Sequence, residues 1–222
     1  GYMSGMVEAG LVAGTSTLLM RHGQIAAFTT FGHARLGDDA PLARDAVFRI
    51  YSMTKPVTGV AMMILFEQGL WRLDDPITDH LPEFEGQKVY AGLADDGAMR
   101  TVQADRPPTM RELMSPTAGF GYGLFDIHPI ERAYRQAGVM TADSHQQLVD
   151  RAARIPLMFQ PGTEWFYSIA TDLQAVVVER LSGMAFGDFL RTRIFAPLSM
   201  VDTGFQVPAD QVHRLAEMYS DD

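Results

Sequence analysis

VFRIYSMTKPVTGVAMMILFEQG, residues 47–69, is the most periodic stretch of the chain. Val57, Val60, Ala61, Ile64 and Leu65 recur at helical spacing. Gly69 follows, the residue type that most readily ends a helix in the left-handed conformation. Pro56 falls near the start, where a missing N–H costs nothing. The spacing predicts a helix over 54–68, buried on most sides because nearly all of 57–66 is apolar. Ten such residues are too few to cross a bilayer. Ser52 and Lys55 stand at the entrance of this helix, three positions apart, and side chains at that spacing share a helix face.

A serine hydroxyl becomes a nucleophile when a base takes its proton, and a lysine acts as that base when burial lowers its pKa. The apolar residues after Lys55 predict such burial. With nine serines and two lysines in 222 residues, chance gives 9 × 2 / 222, about 0.08, pairs at this spacing. A capping serine beside a snorkelling lysine is the purely structural alternative. Tyr167 adds a second element. It sits in an aromatic cluster, Trp165-Phe166-Tyr167, delivered by the turn Gln160-Pro161-Gly162. A tyrosine beside a cation can relay the serine proton and later protonate a leaving group.

The rest of the chain bounds the alternatives. The formal net charge of -9 argues against nucleic-acid binding and against a basic membrane-surface helix. The absence of cysteine excludes disulfides, thiolate metal sites and cysteine nucleophiles. The N-terminal residues lack a basic region ahead of their apolar ones, so they do not read as a signal peptide, which favours a cytoplasmic location. The six histidines show no metal-binding spacing, and no serine lies in a G-x-S-x-G elbow. The pairs Asp38-Asp39, Asp74-Asp75 and Asp95-Asp96 read as solvated turns. The glycines from Gly119 to Gly123 lack any phosphate-loop context. No cofactor or metal is expected.

Strand patterning is confined to the N-terminal region: 15–21 and 24–30 read as a hairpin turning at His22-Gly23. Residues 83–108 read as a polar surface excursion. Short helices are expected at 109–114, capped by Thr109, and at 129–137, 144–154, 172–181 and 186–194. The fold class is therefore α/β (α+β), a largely helical region inserted between parts of an antiparallel sheet. Residues 1–70 form the first part of the α/β domain, 71–185 the helical domain and 186–222 the return. Two or three strands are too few for a sheet core.

Three blocks taken together resemble a known family. Residues 47–84 (VFRIYSMTKPVTGVAMMILFEQGLWRLDDPITDHLPEF), 108–123 (PTMRELMSPTAGFGYG) and 159–205, beginning FQPGTEWFYSIATD, are similar to the serine beta-lactamase and penicillin-binding-protein superfamily. The likeness is to its class C branch, and within that branch to the family VIII carboxylesterases. The resemblance implies an antiparallel sheet flanked by helices plus a helical domain. It makes Ser52 the acylated residue, Lys55 its partner and Tyr167 the tyrosine of a Y-x-N motif, working through an acyl-enzyme. Phe120, Tyr122, Trp165 and Ile169 are then expected to line the substrate site. Ile169 stands where the motif has asparagine and donates no side-chain hydrogen bond, which favours esters over beta-lactams.

The third family motif, a K-T-G-like or H-x-G element on a C-terminal strand, has no counterpart here. The expected partners are a small-molecule ester and a C-terminal polypeptide of the same gene that completes the sheet and the oxyanion hole. A carboxylesterase is the leading expectation. A beta-lactamase or D-amino peptidase-type amidase, an acyltransferase to an alcohol, and a non-catalytic binding domain remain open on the same residues.

Overall fold

The computed structural model describes residues 1–37 and 39–219. Asp38 of the first acidic pair and the last three residues of the 186–222 segment lie outside them. The chain forms two compact units, Gly1–Ser52 with Met200–Asp222, and Met53–Ser199.

In the first unit, helix α1 (Tyr2–Glu8) precedes strands β1 (Gly14–Arg21) and β2 (Gln24–Gly32). The strands pair antiparallel from Gly14↔Gly32 to Arg21↔Gln24, with a register shift at Leu19/Met20. His22 and Gly23 both have positive φ, 50° and 73°. That is the conformation a two-residue hairpin loop needs to match strand twist, so the expected hairpin forms at the expected turn. Gly32 is fixed by crowding: a Cβ there would lie 2.3 Å from the Ala13 carbonyl oxygen. Leu18, Leu19, Met20 and Ile25 are exposed. Val47 makes a single parallel bridge to Leu215, secured by Val47 N–H to Arg214 O at 2.9 Å and Ala216 N–H to Val47 O at 2.8 Å. Arg214 is itself held by Asp202 at 2.6 Å.

The second unit holds the main core. Helix α2 (Thr54–Glu67) starts and stops where its sequence predicts, with Gly69 at φ +73° just beyond it. Ala61, Met62 and Leu65 are fully buried, whereas Val60 and Met63 are exposed. The helix therefore buries one side rather than most. Its open side lines a shallow groove with Pro56, Gly59, Ile64, Glu67 and Met114. Trp71, also fully buried, donates Nε1–H to Met62 O at 2.9 Å and so closes the helix end onto the core.

Residues 83–108 are not a loop excursion. They contain strands β3 (Lys88–Leu93) and β4 (Met99–Gln103), paired antiparallel. Val89 is the one buried residue of its strand, and Leu157 bridges alongside, with Tyr90 N–H to Leu157 O at 2.8 Å. The turn carries Asp96-Gly97, with Ala98 N–H donating to Asp96 Oδ1 at 3.0 Å. Asp-Gly is a strong hairpin signal, masked here by the polarity around it.

Helix α3 (Met110–Met114) begins with a full capping box: Glu112 N–H donates to Thr109 Oγ1 at 3.3 Å, and Thr109 N–H to Glu112 Oε2 at 2.8 Å. Helices α4 (Pro129–Gln136), α5 (His145–Ala152), α6 (Ala170–Ser182) and α7 (Phe186–Leu190) follow. The last continues as a π-helical turn, Arg191–Phe195, where the sequence predicts plain α-helix. Helix α2 packs on α6, and Leu173, Val176 and Val177 of α6 join the same core as Met62 and Leu65. The architecture is mixed α/β, and its strands form two separate antiparallel pairs among the described residues. No described helix is long and apolar enough to cross a membrane.

Candidate active site

Ser52 is exposed in the 3₁₀ turn Tyr51–Met53 that runs directly into α2. The residue before it, Tyr51, has φ +44°, a left-handed conformation that is strained for a bulky side chain. The nucleophile candidate thus follows a backbone outlier.

Lys55, in the first turn of α2, is partly buried. Its Nζ stands 4.6 Å from the centre of the Tyr167 ring and 5.7 Å from that of Tyr122. The two rings meet edge to face, 5.4 Å between centres. Burial acts to lower the Lys55 pKa, but a hydrogen bond with Tyr167 and the fields of Tyr122, Tyr167 and Asp172 outweigh it, so the ammonium is held above its ordinary range. This corrects the expectation of a lysine depressed into a base. Desolvation is present, yet two phenols and a carboxyl surround the cation and favour its charged form.

Asp172, in the first turn of α6, is raised by burial, an effect partly offset by Lys55. The Tyr122 phenol is likewise raised by burial, with Asp172 adding to the shift and Lys55 opposing it. Lys55, Tyr122, Tyr167 and Asp172 therefore form one electrostatic group. Asp172 is missed by sequence reasoning because an acidic residue in a first helical turn already has a structural explanation.

Backbone pairing places the two tyrosines. Tyr122 lies on the glycine loop and Tyr167 on the 158–169 segment. These segments are bonded by Met158 N–H to Gly119 O at 2.7 Å, Gly162 N–H to Thr117 O at 2.8 Å, Phe166 N–H to Pro116 O at 3.0 Å and Ile169 N–H to Gly121 O at 3.1 Å. The other expected pocket residues scatter. Trp165 is 63 % exposed, whereas Phe120 and Ile169 are fully buried, Phe120 against Phe84 at 5.1 Å between rings. Of these four, Tyr122 alone is placed against Lys55. Among the described residues no group of three or more His, Asp or Glu is arranged to hold a metal ion.

Comparison with known proteins bears on the family and the fold. Protein Rv1367c of Mycobacterium tuberculosis is 34 % identical over 215 residues, covering 96 % of this chain and 52 % of that protein. Esterase EstB of Burkholderia gladioli is 32 % identical over 200 residues, covering 87 % and 47 %. The solved structure of EstCE1, a hydrolase with promiscuous acyltransferase activity, superposes with a TM-score of 0.84 at 29 % identity, covering 99 % of this chain and 55 % of that one. The chain thus spans about half the length of the relatives it matches. Its fold is of the beta-lactamase/transpeptidase kind. The Beta-lactamase family model matches residues 2–222, and the chain belongs to that family.

Proposed function

We propose that this chain carries the acylation residues of a serine carboxylesterase. The observation behind the proposal is the Lys55 ammonium seated against Tyr167 and Tyr122, one helical turn after Ser52. Since Lys55 is held charged, Tyr167 is the better proton acceptor: it acts as a phenolate that has already given its own proton to solvent, the Lys55 ammonium donates a hydrogen bond to the phenolate oxygen, and that oxygen takes the Ser52 proton as Oγ attacks the ester carbonyl. The C–O bond to the alcohol breaks and the alcohol leaves with that proton. A water then attacks the acyl-enzyme, giving a proton to Tyr167 and releasing the carboxylic acid, while Ser52 regains its hydrogen.

The tetrahedral oxyanion needs two donors. The Ser52 backbone N–H supplies one, and the second is assigned to a further segment of the same gene product, because residues 1–222 contain no K-T-G-like motif. Ester selectivity is supported by Ile169, which takes the position of the motif's asparagine and has no side-chain hydrogen bond to donate. The test is covalent labelling of the full-length gene product with a fluorophosphonate. The expected adduct maps to Ser52, and p-nitrophenyl butyrate is turned over in preference to nitrocefin. Turnover of nitrocefin without esterase activity overturns the ester assignment, and an unlabelled Ser52 overturns catalysis itself. The likeness to EstCE1, a hydrolase with promiscuous acyltransferase activity, supports a second reading, transfer of the same acyl group to an alcohol. Adding a primary alcohol would then produce the new ester faster than free acid.

A further inference from the structure

Glu131 is fully buried, and its carboxyl group faces backbone rather than another charge. Oε1 accepts from Tyr122 N–H at 2.5 Å and Gly123 N–H at 3.1 Å, while Oε2 accepts from Gly123 N–H at 3.1 Å and Phe125 N–H at 3.0 Å. Three amides of one loop therefore converge on one side chain of α4. The loop is moulded to it: a Cβ on Gly121 would lie 2.9 Å from Glu131 Oε1 and 2.9 Å from the Tyr134 ring, and Gly123 has φ +89°. The opposite edge of the same loop is bonded to the Tyr167 segment through Gly121 O. Tyr122 sits between these two anchors, with its ring toward Lys55 Nζ.

We infer that Glu131 is a positioning residue for the Lys55 site, acting through the 119–125 loop to hold the Tyr122 ring against the ammonium. It touches none of the reacting groups. Its carboxylate can accept from all three amides, and no neutral side chain of the same size matches it. In Glu131→Gln the amide –NH2 would face at least one of those N–H donors, and the loop would move away. For its catalytic consequence the inference rests on the esterase reading; its geometry does not.

The chain has two lysines, Lys55 and Lys88. A sample labelled at lysine 13Cε, with Lys88→Arg for assignment, therefore reports the Lys55 titration directly and without any turnover. Tyr122→Ala is expected to move the Lys55 midpoint by about half a pH unit, the size of one exposed cation–π contact. Glu131→Gln should move it by a similar amount, and the double variant no further. Fluorophosphonate labelling of Ser52 should slow by about tenfold in each variant, again without additivity. If Glu131→Gln fails to fold, Glu131→Asp, which withdraws the carboxylate by one methylene, takes its place.

The inference is overturned if the Glu131 variant leaves the Lys55 midpoint unchanged, or if Tyr122→Ala does, or if the two effects add, as independent structural damage would. An unlabelled Ser52 in the unsubstituted protein, with the Lys55 coupling intact, defeats the esterase reading while the positioning role stands.

Discussion

At Lys55 the competing effects have opposite signs, and the outcome sets the chemistry. Burial acts to lower the pKa of the amine, but Tyr167, Tyr122 and Asp172 outweigh it and keep the group charged. A folded-state pKa above the ordinary lysine value of 10.5 means that the stabilisation is fully present below that value. It is lost as pH rises through the folded value. Lys55→Met should accordingly lower the thermal midpoint at pH 7, and the gap to the unsubstituted protein should close above pH 10.5. A gap that stays constant with pH would mean that charge is not what is lost. Tyr167→Phe keeps the ring beneath the ammonium and removes only the oxygen. It should slow Ser52 acylation by about a hundredfold or more, with a smaller fall in melting temperature than Lys55→Met gives.

Ser52, Lys55 and Tyr167 are readable from the sequence as candidates because each lies in a short motif. The sign of the lysine shift is not, because Tyr122 and Asp172 come from separate segments. Glu131 is hidden for the same reason: it looks like an ordinary acid in a first helical turn until the loop amides are seen to meet it.

Among the elements, helices announce themselves by period and by caps. Thr109 before α3 and Gly69 after α2 act locally, so a sequence pattern suffices to place them. The β3–β4 hairpin is obscured because Val89 alone of β3 is buried: the alternating Val89, Ala91 and Leu93 sit in a polar stretch, and Ala91 and Leu93 stay exposed. Its pairing with Leu157 is decided by a partner far along the chain.

Helix α6 is joined to the turn Pro82–Phe84 by Arg180, which donates to Glu83 Oε1 at 2.6 Å and to His80 O at 2.9 Å. The Arg180 hydrogen bond, against an opposing effect of burial, carries the Glu83 carboxyl down to about 2 from 4.5. A depressed acid stabilises the fold above its ordinary pKa, and that contribution is lost as pH falls toward 2. Arg180→Met is predicted to cost about 1 kcal/mol at pH 7, since the pair is partly solvated. The difference should fade between pH 4.5 and 2 in urea titrations. A cost that persists unchanged at pH 2 would assign the effect to packing of the arginine stem instead.

On the scale of the whole molecule, the strands are few: two antiparallel pairs among the described residues, against many helices. That shortage is legible in the sequence, and so is the lack of a third family motif. The chain spans about half the length of its relatives. The division of the molecule at residues 52 and 53 is less legible, because no glycine or proline falls between Val47 and Lys55 to mark it.

The hairpin of β1 and β2 has a physical consequence of its own. Among the described residues β1 and β2 pair as strands only with each other, which leaves outer edges with amides and carbonyls outside any ladder, and Leu18, Leu19, Met20 and Ile25 add exposed apolar side chains there. Such an edge is a template. Residues 1–222 expressed alone should therefore be colloidally unstable, with light scattering that grows with concentration. Leu19→Lys should suppress the growth without altering Ser52 labelling. Scattering that is independent of concentration and of this substitution would show the edge to be inert. Otherwise its first recruit in a crowded solution would be another copy of itself.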